Sequence, residues 1–166
     1  FSKDIKVKNV VSGDQMMNEI KKTLPVDIAV CVAAISDFKP KKIHKNKIKK
    51  EEGVFSFIEF EKNLDILSFL GKNNKSRPKI VVGFSAETED LINNFLKKLK
   101  NKYCDLIIAN DVSKKNLGFN SDYNKVFIID KKGEIESIPK NKKSFIASII
   151  AKKIVDKFLI YDRNTN

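Results

Sequence analysis

The sequence predicts an α/β fold, a doubly wound and mostly parallel sheet with an added β-hairpin, and three observations carry that prediction. Strand-like and helix-like segments alternate along the chain. Several of the strand-like runs are continuously apolar and β-branched, as strands covered on both faces are. The chain has 166 residues, 42% of them hydrophobic, the size and content of one ordinary core.

The elements follow in order. Residues 5–11, "IKVKNVV", are strand-like, and Ser12-Gly13-Asp14-Gln15 has the S-x-x-Q capping-box form, opening a helix that runs to about Leu24. Residues 26–35, "VDIAVCVAAI", read as a strand buried on both faces. They stop at Ser36-Asp37 and pass into a lysine-rich loop. Residues 54–63, "VFSFIEFEKN", read as a half-exposed strand, and residues 64–71, "LDILSFLG", as a short helix closed by Gly71. "KIVVGFSAE" (79–87) and "CDLIIAND" (104–111) are two further buried strands. Between them Thr88 caps a helix with Glu89 and Asp90 in its first turn and lysines in its last, as the macrodipole favours. "KVFIID" and "EIESIPK", either side of Lys131-Lys132-Gly133, form a hairpin, and the last segment is an amphipathic helix presenting Ala147, Ile150, Ile154 and Phe158 on one face.

Composition excludes several classes. The longest apolar run, residues 28–35, is far shorter than the roughly 20 residues of a membrane span. No hydrophobic leader is visible, and the N-terminus reads as the middle of a domain. Cys31 and Cys104 lie in or beside apolar runs, the setting of free thiols in a reducing, cytoplasmic compartment. With one histidine, His44, and no paired cysteine spacing, there is no zinc ligand set, and no metal-binding residue is assigned. The net charge of +12 raises a nucleic-acid reading. Of the 33 basic residues, however, only Arg77 and Arg163 carry the guanidinium fork that base and phosphate recognition prefers, and no cluster of rings offers a stacking platform.

In an open α/β sheet, ligands sit outside the carboxyl ends of the strands. Three strands end suggestively: one at Asp37, one at Gly83, Phe84, Ser85 and Glu87, and one at Asn110 and Asp111. The same residue types also make ordinary turns and caps. At about 100° per residue, Leu91, Ile92, Phe95, Leu96 and Leu99 define an apolar arc, with Lys102 inside it and Lys98 at its edge. Such a lysine pair either snorkels at the helix end or reaches an anion.

The series "AAISDF", "KNKIKK", "EKNLDIL", "VVGFSAET", "LIIANDVS" and "GFNSDYN", in this order and spacing, resembles phosphopantothenate–cysteine ligase, the synthetase of coenzyme A biosynthesis. The likeness runs from about Ile5 to Leu159. It implies a Rossmann-like synthetase domain over residues 1–166, lacking the family's N-terminal strand and its glycine-rich phosphate-binding turn. It implies a two-step reaction, in which the phosphopantothenate carboxylate attacks the α-phosphate of CTP, and cysteine then displaces CMP. By that resemblance Ala33, Ala34 and Asp37 line the nucleotide site, and Lys47 is the catalytic lysine of a flap closing over the reacting groups. Leu64, Asp65, Ile66 and Leu67 match the nucleotide-contacting stretch, Phe84 the base contact, and Lys98 and Lys102 the lysines that meet the nucleotide. Asn110 and Asp111 fall on the substrate side.

The resemblance further implies magnesium carried chiefly by the triphosphate and a fused or associated flavin-dependent decarboxylase. It also implies a homodimer formed through the region from Gly118 to Pro139. Leucine at position 64 departs from the family's proline, Ser36 from its alanine and Phe38 from its frequent tyrosine. A nicotinamide-dependent oxidoreductase would share the fold, but no G-x-G-x-x-G follows any predicted strand. A lysine-rich nucleic-acid-binding module would share the charge.

Overall fold

The computed structural model describes residues 4–42, 58–72, 75–87, 91–111 and 121–165. In chain order these hold α1 (Gly13–Thr23), β1 (Ile28–Cys31), β2 (Phe38–Pro40), β3 (Phe60–Lys62), α2 (Ile66–Lys72), β4 (Ile80–Glu87), α3 (Leu91–Lys102), β5 (Leu106–Asp111), β6 (Tyr123–Asp130), β7 (Ile135–Lys142) and α4 (Lys143–Thr165). The chain forms two compact units, one of Phe1–Lys22 with Ala34–Ile66 and the other of Thr23–Ala33 with Leu67–Asn166.

In the first unit the capping box forms as the sequence dictates. The Gln15 amide N–H donates to Ser12 Oγ at 3.2 Å, and Gln15 Oε1 accepts the Val11 N–H at 2.9 Å. One donor that the helix start would leave unpaired, the Gln15 N–H, is thereby satisfied, and the Gln15 side chain reaches back to the residue before the cap. β2 and β3 pair antiparallel, Phe38 opposite Lys62 and Pro40 opposite Phe60. The Lys39 ammonium reaches Asp14 in the first turn of α1 at 2.7 Å and Glu61 on β3 at 3.6 Å. Residues 5–11 are not a strand, contrary to their pattern: they join no ladder, and Ile5, Val7 and Val11 stay exposed. Alternating side chains make a strand only where a neighbour takes the backbone hydrogen bonds. Of the segment 54–63, residues 54–57 lie outside the described residues, and the ladder occupies its last part, with Phe60 exposed.

The second unit carries a five-stranded sheet in the order β1-β4-β5-β6-β7. Its first two pairings are parallel and its last two antiparallel, so a parallel core continues into the expected hairpin. Period-two alternation divides β4 and β5 between two faces. Ile80, Val82, Leu106 and Ile108 join Val126, Ile128 and Ile138 against Ile146, Ile150 and Ile154 of α4. Val81, Ile107 and Ala109 bury the other face, the side of α3 and its Phe95 and Leu99. The α4 stripe therefore begins at Ile146, not at Ala147, which is exposed. The branched side chain is simply the larger apolar group on that arc.

β1 is shorter than its apolar run. It lies at the edge of the sheet with β4 as its neighbour, leaving Val30 46% and Val32 63% exposed, so it is not covered on both faces. Gly71 does not close α2 but lies inside it. A Cβ there would fall 1.9 Å from the Lys102 carbonyl oxygen, so its hydrogen is what lets α2 meet the end of α3. The hairpin turn is built on Asp130, whose Oδ1 accepts the N–H groups of Lys132 at 2.8 Å and Glu134 at 3.1 Å. Gly133 supplies the left-handed φ of 85°. No helix of the described residues is long and apolar enough to cross a membrane.

Candidate functional site

Because β1, β4 and β5 are parallel, their carboxyl ends form one edge of the sheet, and the chain sets polar side chains there. On the α3 side is Ser85, 6% exposed, whose Oγ accepts a hydrogen bond from Lys98 Nζ at 2.7 Å. Helical side chains slant toward the N-terminus of their helix, which here means toward the carboxyl ends of the strands. Lys98 thus brings an ammonium to the end of β4. Lys102, one turn later and about 6 Å further along the axis, sits half-buried at the end of α3.

The opposite face of the same edge differs in character. Phe84 is partly buried against the α4-side cluster, leaving part of its ring open. Asn110, on β5 beside Ala86, accepts a 3.1 Å hydrogen bond from Asn124 Nδ2 at the start of β6. A ligand lying across the strand ends would meet a cation on one side and an aromatic edge and carboxamides on the other.

The remaining expected residues are placed as follows. Leu67, on α2, packs over Gly83, where a Cβ would come 2.5 Å from Leu67 Cδ2. Ala33 is exposed, two residues beyond the carboxyl end of β1. In the first unit, Ala34 and Asp37 are exposed, and the Asp37 carbonyl accepts the Asn63 N–H at 2.8 Å. Asn63 Oδ1 in turn accepts the N–H of Leu64 at 2.9 Å, so the turn into α2 is braced. Leu64 and Asp65 are exposed and Ile66 is buried. Lys47 with its basic loop, and Thr88 with Glu89 and Asp90, lie outside the described residues, as does the side chain of Asp111.

Sequence reasoning left two contributors to the site unassigned. Ser85 stood at a strand end, and Asn124 stood in the "GFNSDYN" run, but the partner of each is 13 or 14 residues away. The packing of α3 on β4 brings the first pair together, and the pairing of β5 with β6 the second.

A cavity of about 770 Å³ opens at the other edge of the sheet, beneath the hairpin turn and the second half of α4. Three of its lysines are paired with carboxylates of the same lining: Lys153 with Glu136 at 2.6 Å, Lys157 with Asp130 at 3.4 Å, Lys131 with Asp105 at 3.7 Å. Burial pushes the Asp130 carboxyl up, but the N–H groups of Glu134 and Lys132 and the Lys157 ammonium outweigh it, and the net effect holds the group below the ordinary aspartate value. Among the described residues, no group of three or more His, Cys, Asp or Glu side chains is placed to hold a metal. Magnesium carried by a triphosphate needs only one or two protein carboxylates, so the residues present are compatible with it.

The family model described as DNA/pantothenate metabolism flavoprotein C-terminal domain matches residues 1–158. The chain belongs to that family. A coenzyme A biosynthesis bifunctional protein CoaBC from Bacillus subtilis is 42% identical over 113 residues, covering 68% of this chain and 27% of that protein. Its counterpart from Borreliella burgdorferi is 38% identical over 149 residues, 87% of this chain and 37% of that one. The chain therefore spans about a quarter to two-fifths of the length of these relatives. Among solved structures, the C-terminal domain of a coenzyme A biosynthesis bifunctional protein CoaBC superposes with a TM-score of 0.69 at 28% identity, over 92% of this chain and 65% of that one. The family's α/β architecture is the one found here, a five-stranded sheet in one unit and a two-stranded ladder in the other.

Proposed function

We propose that this chain is the nucleotide- and acyl-handling part of a CTP-dependent phosphopantothenate–cysteine ligase. Membership of the family, with a lysine ammonium held at the carboxyl end of β4, is the observation that carries the reading. In the first step a carboxylate oxygen of phosphopantothenate bonds to the α-phosphorus of CTP and pyrophosphate leaves. In the second the cysteine amine attacks the acyl carbon of the acyl-cytidylate, CMP leaves with the bonding pair, and the amine proton goes to solvent or base.

Both steps build negative charge on phosphate oxygens, and positioned cations are the usual stabiliser of such charge. Lys98 and Lys102 are assigned to the nucleotide, and Lys47 to the reacting phosphate and acyl groups. Phe84 offers the base a ring edge. Ala33, Ala34, Asp37 and the stretch from Leu64 to Leu67 complete the nucleotide contacts, with Asn110 and Asp111 on the acyl side. Magnesium enters with the triphosphate. The partners of this reading are phosphopantothenate and cysteine as substrates, a second copy of the chain, and the flavin-dependent decarboxylase activity that the bifunctional relatives suggest. The compartment it implies is the cytoplasm.

Calorimetric titration of the chain with magnesium-CTP, beside ATP and NADPH, tests the reading. The expected result is preferential binding of CTP that weakens about tenfold or more in Lys98→Met, the loss of one charge-assisted contact. Preferential binding of NADPH would contradict it. Sedimentation checks the dimer: monomer alone at micromolar concentration would count against a second copy.

A further inference from the structure

Three lysine ammoniums elsewhere in the chain hydrogen-bond to carboxylates: Lys39 to Asp14 at 2.7 Å, Lys152 to Asp156 at 2.7 Å and Lys153 to Glu136 at 2.6 Å. Lys98 instead donates to a neutral group, the Ser85 hydroxyl, at 2.7 Å. A carboxylate anchors an ammonium and cancels its charge, whereas a hydroxyl anchors it and leaves the charge in place. The contact takes one of the three N–H donors that an ammonium carries.

Both ends of the contact stand on rigid elements. Ser85 is 6% exposed on β4, paired with the fully buried Ala109 of β5. The ladder to β1 ends at Gly83, two residues earlier, so on that side Ser85 lies beyond the last paired residue, at the carboxyl edge of the sheet. Lys98 projects from α3 between Phe95 and Leu99, both buried, which hold the helix against the sheet. Between these supports runs the four-carbon lysine stem, whose rotamer freedom would let the ammonium sweep away from the strand end. The hydroxyl limits that freedom before any ligand arrives, and a contact ordered in advance costs less to use in binding.

Resting on the ligase reading above, in which Lys98 meets the nucleotide, we infer that Ser85 is the positioning residue of that lysine. Ser85 acts on the nucleotide through Lys98: it holds the ammonium, with its charge intact, at the strand end where phosphate oxygens arrive. Ser85→Ala keeps the lysine and its charge but releases the ammonium, so that the nucleotide itself then has to immobilise it.

The test has two arms. In the first, the lysine ammonium signals of the ¹⁵N-labelled free chain are followed by NMR, with Lys98→Met identifying the Lys98 signal. Wild type is expected to show a slowly exchanging Lys98 ammonium, and Ser85→Ala to lose it into the averaged signal of solvated lysines. An unchanged Lys98 signal in Ser85→Ala overturns the inference. In the second arm the chain is titrated calorimetrically with magnesium-CTP. Ser85→Ala is expected to bind about threefold to tenfold more weakly, the worth of one hydrogen bond. Ser85→Thr, which keeps the hydroxyl on a strand that favours branched residues, should restore affinity to within about twofold. In the Lys98→Met background Ser85→Ala should change affinity by less than about twofold, because the lysine through which Ser85 acts is gone. A serine needed for the fold alone would weaken CTP equally in both backgrounds, and that result overturns the inference. Full CTP affinity in Ser85→Ala beside a loss in Lys98→Met overturns it as well and leaves the ligase reading standing. If Ser85→Thr does not fold, Ser85→Ala and the double variant still decide. A chain that binds no CTP, or binds it equally well in Lys98→Met, contradicts the nucleotide reading instead, and the ammonium signal then decides alone whether Ser85 holds Lys98.

Discussion

The two edges of the five-stranded sheet use polar side chains in opposite ways. At the amino edge Arg77 donates to the Gly71 carbonyl at 3.0 Å, the Tyr103 carbonyl at 2.9 Å, the Pro78 carbonyl at 2.8 Å and the Asp105 carboxylate at 2.8 Å. Asp105, 5% exposed, also accepts the Val81 N–H at 2.9 Å. One ion pair thereby ties the ends of α2 and α3 to the start of β4. At the carboxyl edge, by contrast, Lys98 donates to the neutral Ser85 hydroxyl at 2.7 Å and Asn110 accepts from the Asn124 amide at 3.1 Å, contacts between groups of which only one is charged. A buried ion pair bonded to several carbonyls holds a fold together, whereas polar side chains at the carboxyl ends of parallel strands stand where an open sheet takes its ligands. The cavity at the amino edge fits this contrast, since three of its lysines face carboxylates.

The largest effect expected from breaking this contrast is at Arg77. Arg77→Met leaves the buried Asp105 carboxylate only the more distant Lys131 ammonium, at 3.7 Å, and should cost about 3 kcal/mol in a denaturant melt, the lower end of what breaking a buried pair costs. A loss below 1 kcal/mol would show that the cluster is dispensable. Gly71→Ala comes next: Ala is the better helix former, but its methyl group must displace the Lys102 carbonyl, and a net loss of about 1–3 kcal/mol is expected. An unchanged or higher melting temperature would mean that α2 and α3 can separate freely.

At the carboxyl edge the balance reverses. Lys98→Met should change stability by about 1 kcal/mol or less while weakening CTP as described above. The smallest expected effect is at the hairpin turn. The lowered Asp130 value means that its contribution is present above about pH 4 and fades as pH falls through that lowered value, because the folded state then has to take up the proton. The stability difference between wild type and Asp130→Asn should therefore shrink on acidification. A difference independent of pH would show that the carboxylate charge plays no part in the turn.

The sequence made the buried centre of the sheet easy to read. β4 and β5 are runs of branched apolar residues with few competing interpretations, and the Ser12 and Gln15 caps and the turn ending in Gly133 are local signals whose partners lie within a few residues. The failures share one cause, dependence on distant partners. Residues 5–11 and β1 have strand composition, but their pairing and cover are settled elsewhere in the chain, and Val30 and Val32 remain exposed. Gly71 looked like a helix stop because nothing local reveals the Lys102 carbonyl above it. Arg77 appeared only as one arginine among many lysines until Asp105, 28 residues away, gave it a role. The strand-end residues Phe84 and Asn110 could be named from the pattern alone, whereas their supports, Asn124 above all, required the register.

The most direct test of the contrast between the edges is a backbone and side-chain chemical-shift map of the chain titrated with magnesium-CTP. The account requires the largest shifts at Phe84, Ser85, Ala86 and Lys98, with the amino edge around Arg77, Asp105 and Asp130 unmoved. Shifts centred instead on Asp130, Lys153 and Lys157, the lining of the opposite cavity, would contradict it.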